Sequence, residues 1–304
     1  MYAKCGLLVK AQQVLEELPA RDLVSWNALI SGYAKQGHGY EALNVFKNMQ
    51  RDGFSPDEVT FTCMLKACGN IGAVGKGKQI HEEISSKCIL QENIMLGTTL
   101  VDMYARGGML EKARDVLDVL PIRDIVSWNA LIVGYAQQGQ ANEALNCFEQ
   151  MQNEGVSPDE VTFLCILSAC SHAKLLEETQ TLLLNMKGIY GVTPNIEHYT
   201  CMVMGFGCAG HFGEAISVIQ VMPSLEFPEV WLALLGACRK WGNVKLGKLV
   251  FDQIMQLDDS CAAAYVLMEN ICAAAGMLED AKKVKDMRLN YATWKKQKSS
   301  KFIS

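Results

Sequence analysis

The chain copies itself at an offset of 102 residues, and this regularity restricts its possible folds more than any other feature. Val24–Ile30 and Val126–Ile132 both read VSWNALI, and Ser55–Phe61 and Ser157–Phe163 both read SPDEVTF. Looser matches keep the offset: Met1-Tyr2-Ala3 with Met103-Tyr104-Ala105, and Glu41–Asn44 with Glu143–Asn146. Self-similarity at fixed spacing marks a repeat architecture, in which each unit packs on its neighbours.

A period of 102 is too long for one hairpin and divides further. Helical segments open around Trp26, Phe61, Gly97, Trp128, Phe163, Tyr199, Trp231 and Tyr265, in steps of 35, 36, 31, 35, 36, 32 and 34 residues. The first three steps make up one period, so three unlike hairpins are used twice. In the first, Trp26, Leu29, Ile30 and Tyr33 recur at spacings of three and four, the pattern of one buried helical face. Gly37 ends that helix by supplying a left-handed C-terminal residue. Ala42, Leu43, Val45, Phe46 and Met49 line the second helix, which Gly53 and Pro56 stop. No stretch keeps a period of two for long, so strands are not expected. The expectation is an all-α solenoid whose core forms only between stacked neighbours.

Composition narrows the function. The formal net charge is −5, which argues against gripping nucleic acid by bulk attraction. A nucleic-acid partner would need a local groove and specific side chains. There are twelve cysteines. Cys68, Cys170 and Cys238 each close a Leu-x-Ala-Cys segment, and this common phase reads as a small buried side chain near a helix end. No pair has C-x-x-C spacing, so reduced structural thiols are expected rather than a metal or redox site. No run of about 18 predominantly apolar residues occurs, so no membrane-spanning helix or membrane partner is expected.

The units resemble pentatricopeptide repeats of the plant type in which standard, long and short motifs alternate. The residues carrying the resemblance are VSWNALI with its following GYA and Gly, Leu65–His81 (LKACGNIGAVGKGKQIH), and Leu100–Arg114 (LVDMYARGGMLEKAR). WLALLGACRKWGN and AYVLMENICAAAGMLEDAKKV, between Val230 and about Lys285, look like the two extension motifs that follow such arrays. The resemblance implies a right-handed superhelical solenoid of helix-turn-helix repeats. Residues 1–22 would be a partial short unit; 23–57 and 125–159 standard units; 58–93 and 160–195 long units; 94–124 and 196–229 short units. Two extension hairpins would occupy 230–286 and a basic tail 287–304. Met1 aligns inside a first helix, which implies a chain truncated at its N-terminus.

The family reads about one RNA base per repeat with two or three side chains. The resemblance places the readers one residue after the aromatic of the first helix and at the last residue of the same unit. They fall on Asn27 with Asp57, Thr62 with Asn93, Thr98 with Asp124, and Asn129 with Asp159. The family's pairing preferences imply U-A-G-U, read 5′ to 3′. Val24, Val59, Val126 and Val161 stand where the family clamps bases between aliphatic side chains. Two units depart from the pattern: Leu164 with Asn195 lacks a polar reader, and Phe227 stands where Thr200 should have an acidic partner. Four readers at about 1–3 kcal/mol per mismatch cannot single out one site among many, and further N-terminal repeats would supply the difference. The opposing reading makes Asn27 and Asn129 ordinary polar residues on a solvated helix face.

Relatives of such arrays often end in a zinc deaminase carrying H-x-E and C-x-x-C. His81-Glu82-Glu83 fits H-x-E literally, but no C-x-x-C follows, so His81 reads as a solvated helix residue. Glu177-Glu178 and Asp258-Asp259 read as exposed surface. No catalytic residue, metal site or cofactor is expected. In the tail, Trp294-Lys295-Lys296 is followed by Gln297-Lys298 instead of the family's Pro-Gly step. Lys295, Lys296, Lys298 and Lys301 read as a frayed polar terminus, with help in holding phosphate as the alternative.

The resemblance therefore implies a single-stranded RNA-binding protein of a plant mitochondrion or chloroplast. It would specify sites for cytidine-to-uridine editing or related processing. A deaminase-bearing protein or another editing factor would be recruited through the extension motifs. Two alternatives stand beside it: a protein–protein interaction solenoid, which the acidic charge favours, and a truncated, non-functional fragment, which Phe227 and the mid-repeat start favour.

Overall fold

The computed structural model describes residues 2–3, 5–87, 90 and 93–301, and side chains as far as residue 289. Among the described residues there are helices and no strand. A lone helix, α1 (Leu8–Glu17), is followed by hairpins: α2 (Leu23–Lys35) with α3 (Gly39–Arg51), α4 (Glu58–Ile71) with α5 (Val74–Ser86), and α6 (Ile94–Arg106) with α7 (Leu110–Val119). Next come α8 (Ile125–Gln137) with α9 (Ala141–Asn153), α10 (Glu160–Ala173) with α11 (Leu176–Gly188), and α12 (Ile196–Ala209) with α13 (Phe212–Gln220). The last pairs are α14 (Pro228–Trp241) with α15 (Val244–Leu257), and α16 (Ala262–Ala274) with α17 (Leu278–Lys301).

The chain forms two compact bodies, residues 1–166 and 167–304, divided within α10. In the first body, α2, α4, α6 and α8 pack in succession, each also against its own hairpin partner. The face set by Trp26, Leu29, Ile30 and Tyr33 is buried, as are Ala42, Val45, Phe46 and Met49 on α3. Full burial of a side chain such as Met49 or Phe61 contributes about 1.5–3 kcal/mol. In the second body α12, α14 and α16 pack in succession, around Phe206, Leu234, Leu235, Phe251 and Tyr265.

The two glycines of the repeated Gly-Tyr-Ala-x-x-Gly pattern have different physical causes. Gly37 takes φ +79°, and the His38 N–H donates to Tyr33 O at 3.0 Å while the Gly37 N–H donates to Ala34 O at 3.3 Å. This Schellman closure satisfies carbonyls that the end of α2 leaves open. Gly134 serves close approach instead: a Cβ there would lie 2.8 Å from both Ala105 Cβ and Leu110 Cδ2.

Cys68, Cys170 and Cys238 are fully buried. Burial pushes their thiols up, to about 11, about 12 and about 11, so they stay protonated and act as small apolar groups. Cys88 lies outside the described residues. One expectation changes. His81 is not solvated: it is half-buried, its ring edge-on to Tyr104 at 5.6 Å, with Nδ1 3.0 Å from the tyrosine hydroxyl oxygen. Burial, then the nearby Lys112, holds its pKa below the ordinary histidine value. The α17 backbone is helical through Lys301. The side chains of Trp294, Lys295, Lys296, Lys298 and Lys301 lie outside the described residues.

Candidate nucleic-acid interface

The last residue of each repeat is the N-cap of the next repeat's first helix, and this gives its polarity a local cause. Asp22 accepts from Ser25 N at 2.8 Å, Asp57 from Thr60 N at 2.8 Å, Asn93 from Leu96 N at 3.0 Å, and Asp124 from Ser127 N at 2.9 Å. Asp159 accepts from Thr162 N at 2.9 Å, and Asn195 from His198 N at 3.3 Å. Asp and Asn are favoured there because the side-chain oxygen satisfies an N–H that the helix cannot. The recurrence of acids at this place therefore arises from capping, whatever ligand the chain takes. Phe227 is the exception: α14 starts on Pro228 with no side-chain cap, and proline has no N–H to satisfy.

Capping does not account for the bonds made to Asn27 and Asn129. Asn27 Nδ2 donates to Asp57 Oδ1 at 3.0 Å, and Asn129 Nδ2 to Asp159 Oδ1 at 3.2 Å. Thr60 Oγ1 lies 2.7 Å from both Asn27 Oδ1 and Asp57 Oδ1, so one hydroxyl proton is shared between two acceptors. Thr162 lies 2.7 Å from Asn129 Oδ1 and 2.8 Å from Asp159 Oδ1. Burial alone would raise the Asp57 carboxyl. Hydrogen bonds from the Thr60 backbone, the Thr60 hydroxyl and the Asn27 amide outweigh it and hold the pKa below the ordinary carboxylate value. Asp159 is lowered by the same balance, through Thr162 and Asn129.

Asn27 and Asn129 are only 7% and 9% exposed, so neither lies on a solvated face. Each retains one N–H and one oxygen lone pair after these bonds. Sequence reasoning missed Thr60 and Thr162. The signal was present, since Asp-x-x-Thr ahead of an apolar run is a capping pattern and occurs in both copies of SPDEVTF.

The other two pairs are not bonded in this way. The Thr62 hydroxyl donates to Glu58 O at 2.8 Å, and the Asn93 amide donates to the Glu58 carboxylate. Val59, Thr62 and Asn93 nonetheless border one small cavity of about 150 Å³. Thr98 is 8% exposed and its hydroxyl has no partner. It lines a cavity of about 660 Å³ together with Asp124, Val126 and Asn129, a size within the range of ligand clefts. Lys66 and Arg106 stand on the same lining, Arg106 paired with Asp102 at 2.9 Å. Val24, Val59, Val126 and Val161 are 75%, 55%, 58% and 52% exposed. Met95, at the same place in the short unit, is also exposed. Leu164 is half-buried, and the Thr200 hydroxyl donates to Ile196 O at 2.8 Å.

Among the described residues no group of three or more His, Cys, Asp or Glu side chains could hold a metal ion. No helix among them is long and apolar enough to cross a membrane.

Comparison with known proteins agrees with this organisation. The PPR repeat family model matches residues 21–70 and 123–172, and the PPR repeat model matches 59–89, 98–124 and 197–227. The chain is 40% identical to the pentatricopeptide repeat-containing protein CRR2, chloroplastic, of Arabidopsis thaliana, over 94% of this chain and 44% of that protein. It is 36% identical to a pentatricopeptide repeat-containing protein of the same plant named as mitochondrial, over 94% of this chain and 62% of that one. Among such curated relatives the chain spans from 34% to 62% of their length. The crystal structure of the pentatricopeptide repeat protein PPR10 with an 18-nucleotide psaJ RNA element superposes with a TM-score of 0.77 at 20% identity. That match covers 95% of this chain and 44% of PPR10, and it shows a shared fold. With the matched models covering more than half of its residues, the chain belongs to the pentatricopeptide repeat family.

Proposed function

We propose that the chain binds single-stranded RNA and reads it at about one base per repeat in the first body. The observation that carries this reading is the repeated Asn–Asp pair. Asn27–Asp57 and Asn129–Asp159 are bonded from the start to the end of one unit in a way that helix capping does not require, and each asparagine leaves a donor and an acceptor unused. Exposed Val24, Val59, Val126 and Val161 supply apolar surface beside them. Thr98 brings a buried, unpartnered hydroxyl to a cavity large enough for a ligand. PPR10, whose fold this chain shares, was crystallised on RNA.

The finer reading is a plant organellar factor with alternating standard, long and short repeats, taking U-A-G-U through Asn27/Asp57, Thr62/Asn93, Thr98/Asp124 and Asn129/Asp159. It would mark sites for cytidine-to-uridine editing, with the chemistry supplied in trans by a deaminase-bearing protein recruited through the hairpins between Val230 and about Lys285. Relatives named chloroplastic and mitochondrial support an organelle. The net charge of −5 favours a second reading, a protein-binding solenoid.

Binding to U-A-G-U and to a scrambled oligonucleotide at one fixed salt concentration separates the two. A preference for U-A-G-U supports base reading. A folded protein with no preference overturns it and leaves the protein-binding reading.

A further inference from the structure

We infer that Thr60 and Thr162 are positioning residues for base selection: each hydroxyl holds the amide of Asn27 or Asn129 in one of two flip orientations, and that orientation selects uracil over cytosine. This rests on the reading of those asparagines as base readers.

The two orientations of an asparagine amide have nearly the same shape, so hydrogen-bond partners must choose between them. Asp57 can only accept, which draws Nδ2 toward its carboxylate at 3.0 Å. Oδ1 is then left 2.7 Å from the Thr60 hydroxyl, whose single proton it shares with Asp57 Oδ1, also at 2.7 Å. A flip would set Oδ1 against the carboxylate oxygen, acceptor to acceptor. Thr60 is fully buried, and no water is needed to complete the arrangement. Thr162, also fully buried, repeats it around Asn129 and Asp159. The low carboxyl pKa of Asp57 and of Asp159 keeps each acceptor charged near neutrality.

The capping function of Thr60 does not need this contact. The cap runs from Thr60 N to the Asp57 carboxylate at 2.8 Å, and the Thr60 hydroxyl completes the box by accepting from Asp57 N at 3.3 Å; neither bond uses Asn27. The contact from hydroxyl to Asn27 reaches back 33 residues to the previous repeat.

Fixing the amide has a chemical consequence. The pyrimidine edges are mirror images in hydrogen bonding: uracil offers a ring N–H beside a carbonyl oxygen, whereas cytosine offers a bare ring nitrogen beside an amine. An amide held in one sense, facing a base held in one pose, meets uracil with two complementary pairs. The same amide meets cytosine with two like pairs. Without the hydroxyl, Oδ1 loses its donor and only the carboxylate still holds the amide, so its orientation loosens and the distinction between the two pyrimidines falls.

The test compares the full chain with Thr60→Val, Thr162→Val, the double valine variant and the double serine variant. Binding is measured to U-A-G-U, C-A-G-U, U-A-G-C and C-A-G-C RNAs. The parent should prefer uracil by about ten-fold at each end. Thr60→Val should reduce the first-base ratio to about two-fold and leave the fourth unchanged, and Thr162→Val should do the reverse. Serine should keep both ratios, because it restores the hydroxyl. Valine variants that keep the parent's ratios overturn the inference.

The side-chain amide NMR signals of Asn27 and Asn129 supply a readout independent of RNA. In the parent their Nδ2 protons should exchange slowly with solvent, and in the matching valine variant at least ten-fold faster. Unchanged exchange in the valine variants overturns the positioning role even without binding data. A parent with slow amide exchange but no uracil preference overturns base reading itself, so the two failures are told apart. If a valine variant does not fold, the same pair of measurements is made on the alanine variant.

Discussion

Asn129 Nδ2 lies 3.2 Å from Asp159 Oδ1, and the pair it copies, Asn27 and Asp57, is spaced at 3.0 Å. In both, the acid caps the following helix with the same oxygen that binds the asparagine. One carboxylate therefore joins two repeats, and local helix stability is coupled to the orientation of a side chain in the preceding unit.

The first prediction follows from that double use. Hydrogen bonding holds the Asp57 and Asp159 carboxyls below their ordinary value in the folded state. Their contribution is then fully present above the unfolded carboxylate pKa of about 3.9, and is lost as pH falls through the lower folded value. Asp57→Ala and Asp159→Ala should each cost about 0.5–2 kcal/mol near pH 6, the usual value of a lost cap. Urea unfolding of parent and double variant from pH 6 down to pH 3 checks this. The gap between them should narrow on acidification, and a gap that widens contradicts the assignment.

Asn129→Ser tests the reader at the fourth base. Serine cannot present the amide's paired donor and acceptor, and the family's pairing of a hydroxyl with Asp implies guanine. The preferred fourth base should move from uracil to guanine, by about 1–3 kcal/mol per mismatched base. Competition among the four U-A-G-N oligonucleotides reads this directly. If parent and variant both keep uracil, Asn129 does not read that base.

Thr98→Val separates a binding role from a structural one. The buried Thr98 hydroxyl has no partner, and an unmet buried polar group costs about 1–3 kcal/mol. Valine has nearly the same shape and lacks that group, so thermal stability should hold or rise. Affinity for U-A-G-U should nevertheless fall about ten-fold, through loss of the third contact. A destabilised variant would mean that the hydroxyl serves the fold.

The buried stripe of Trp26, Leu29, Ile30 and Tyr33 was legible because helical periodicity is written within a dozen residues. The cap function of Asp57 was equally local, but sequence reasoning assigned its recurrence to a ligand instead. Thr60 was missed for a different reason. Its partner Asn27 is 33 residues back, and contact across stacked repeats has no local pattern. His81 was misread on the same ground, since Tyr104 lies 23 residues ahead of it. What closes within one helix could be read, and what closes between neighbours needed the packing.

The last prediction concerns that packing. Gly134 in α8 faces α6 and α7 so closely that a Cβ would lie 2.8 Å from Ala105 Cβ and Leu110 Cδ2 and 3.3 Å from Ala105 Cα. Because Ala105 Cβ is fixed to its backbone, that contact cannot be relieved by turning a side chain. Gly134→Ala should therefore cost about 1–3 kcal/mol, as overpacking does. Gly236, midway along α14, has nothing within 4 Å of the place its Cβ would take. There alanine should raise stability by about 0.5–1 kcal/mol, because glycine loses more backbone freedom in a helix. Urea midpoints of the two variants should move in opposite directions. A rise in both would show that helix propensity, rather than contact between repeats, governs both glycines.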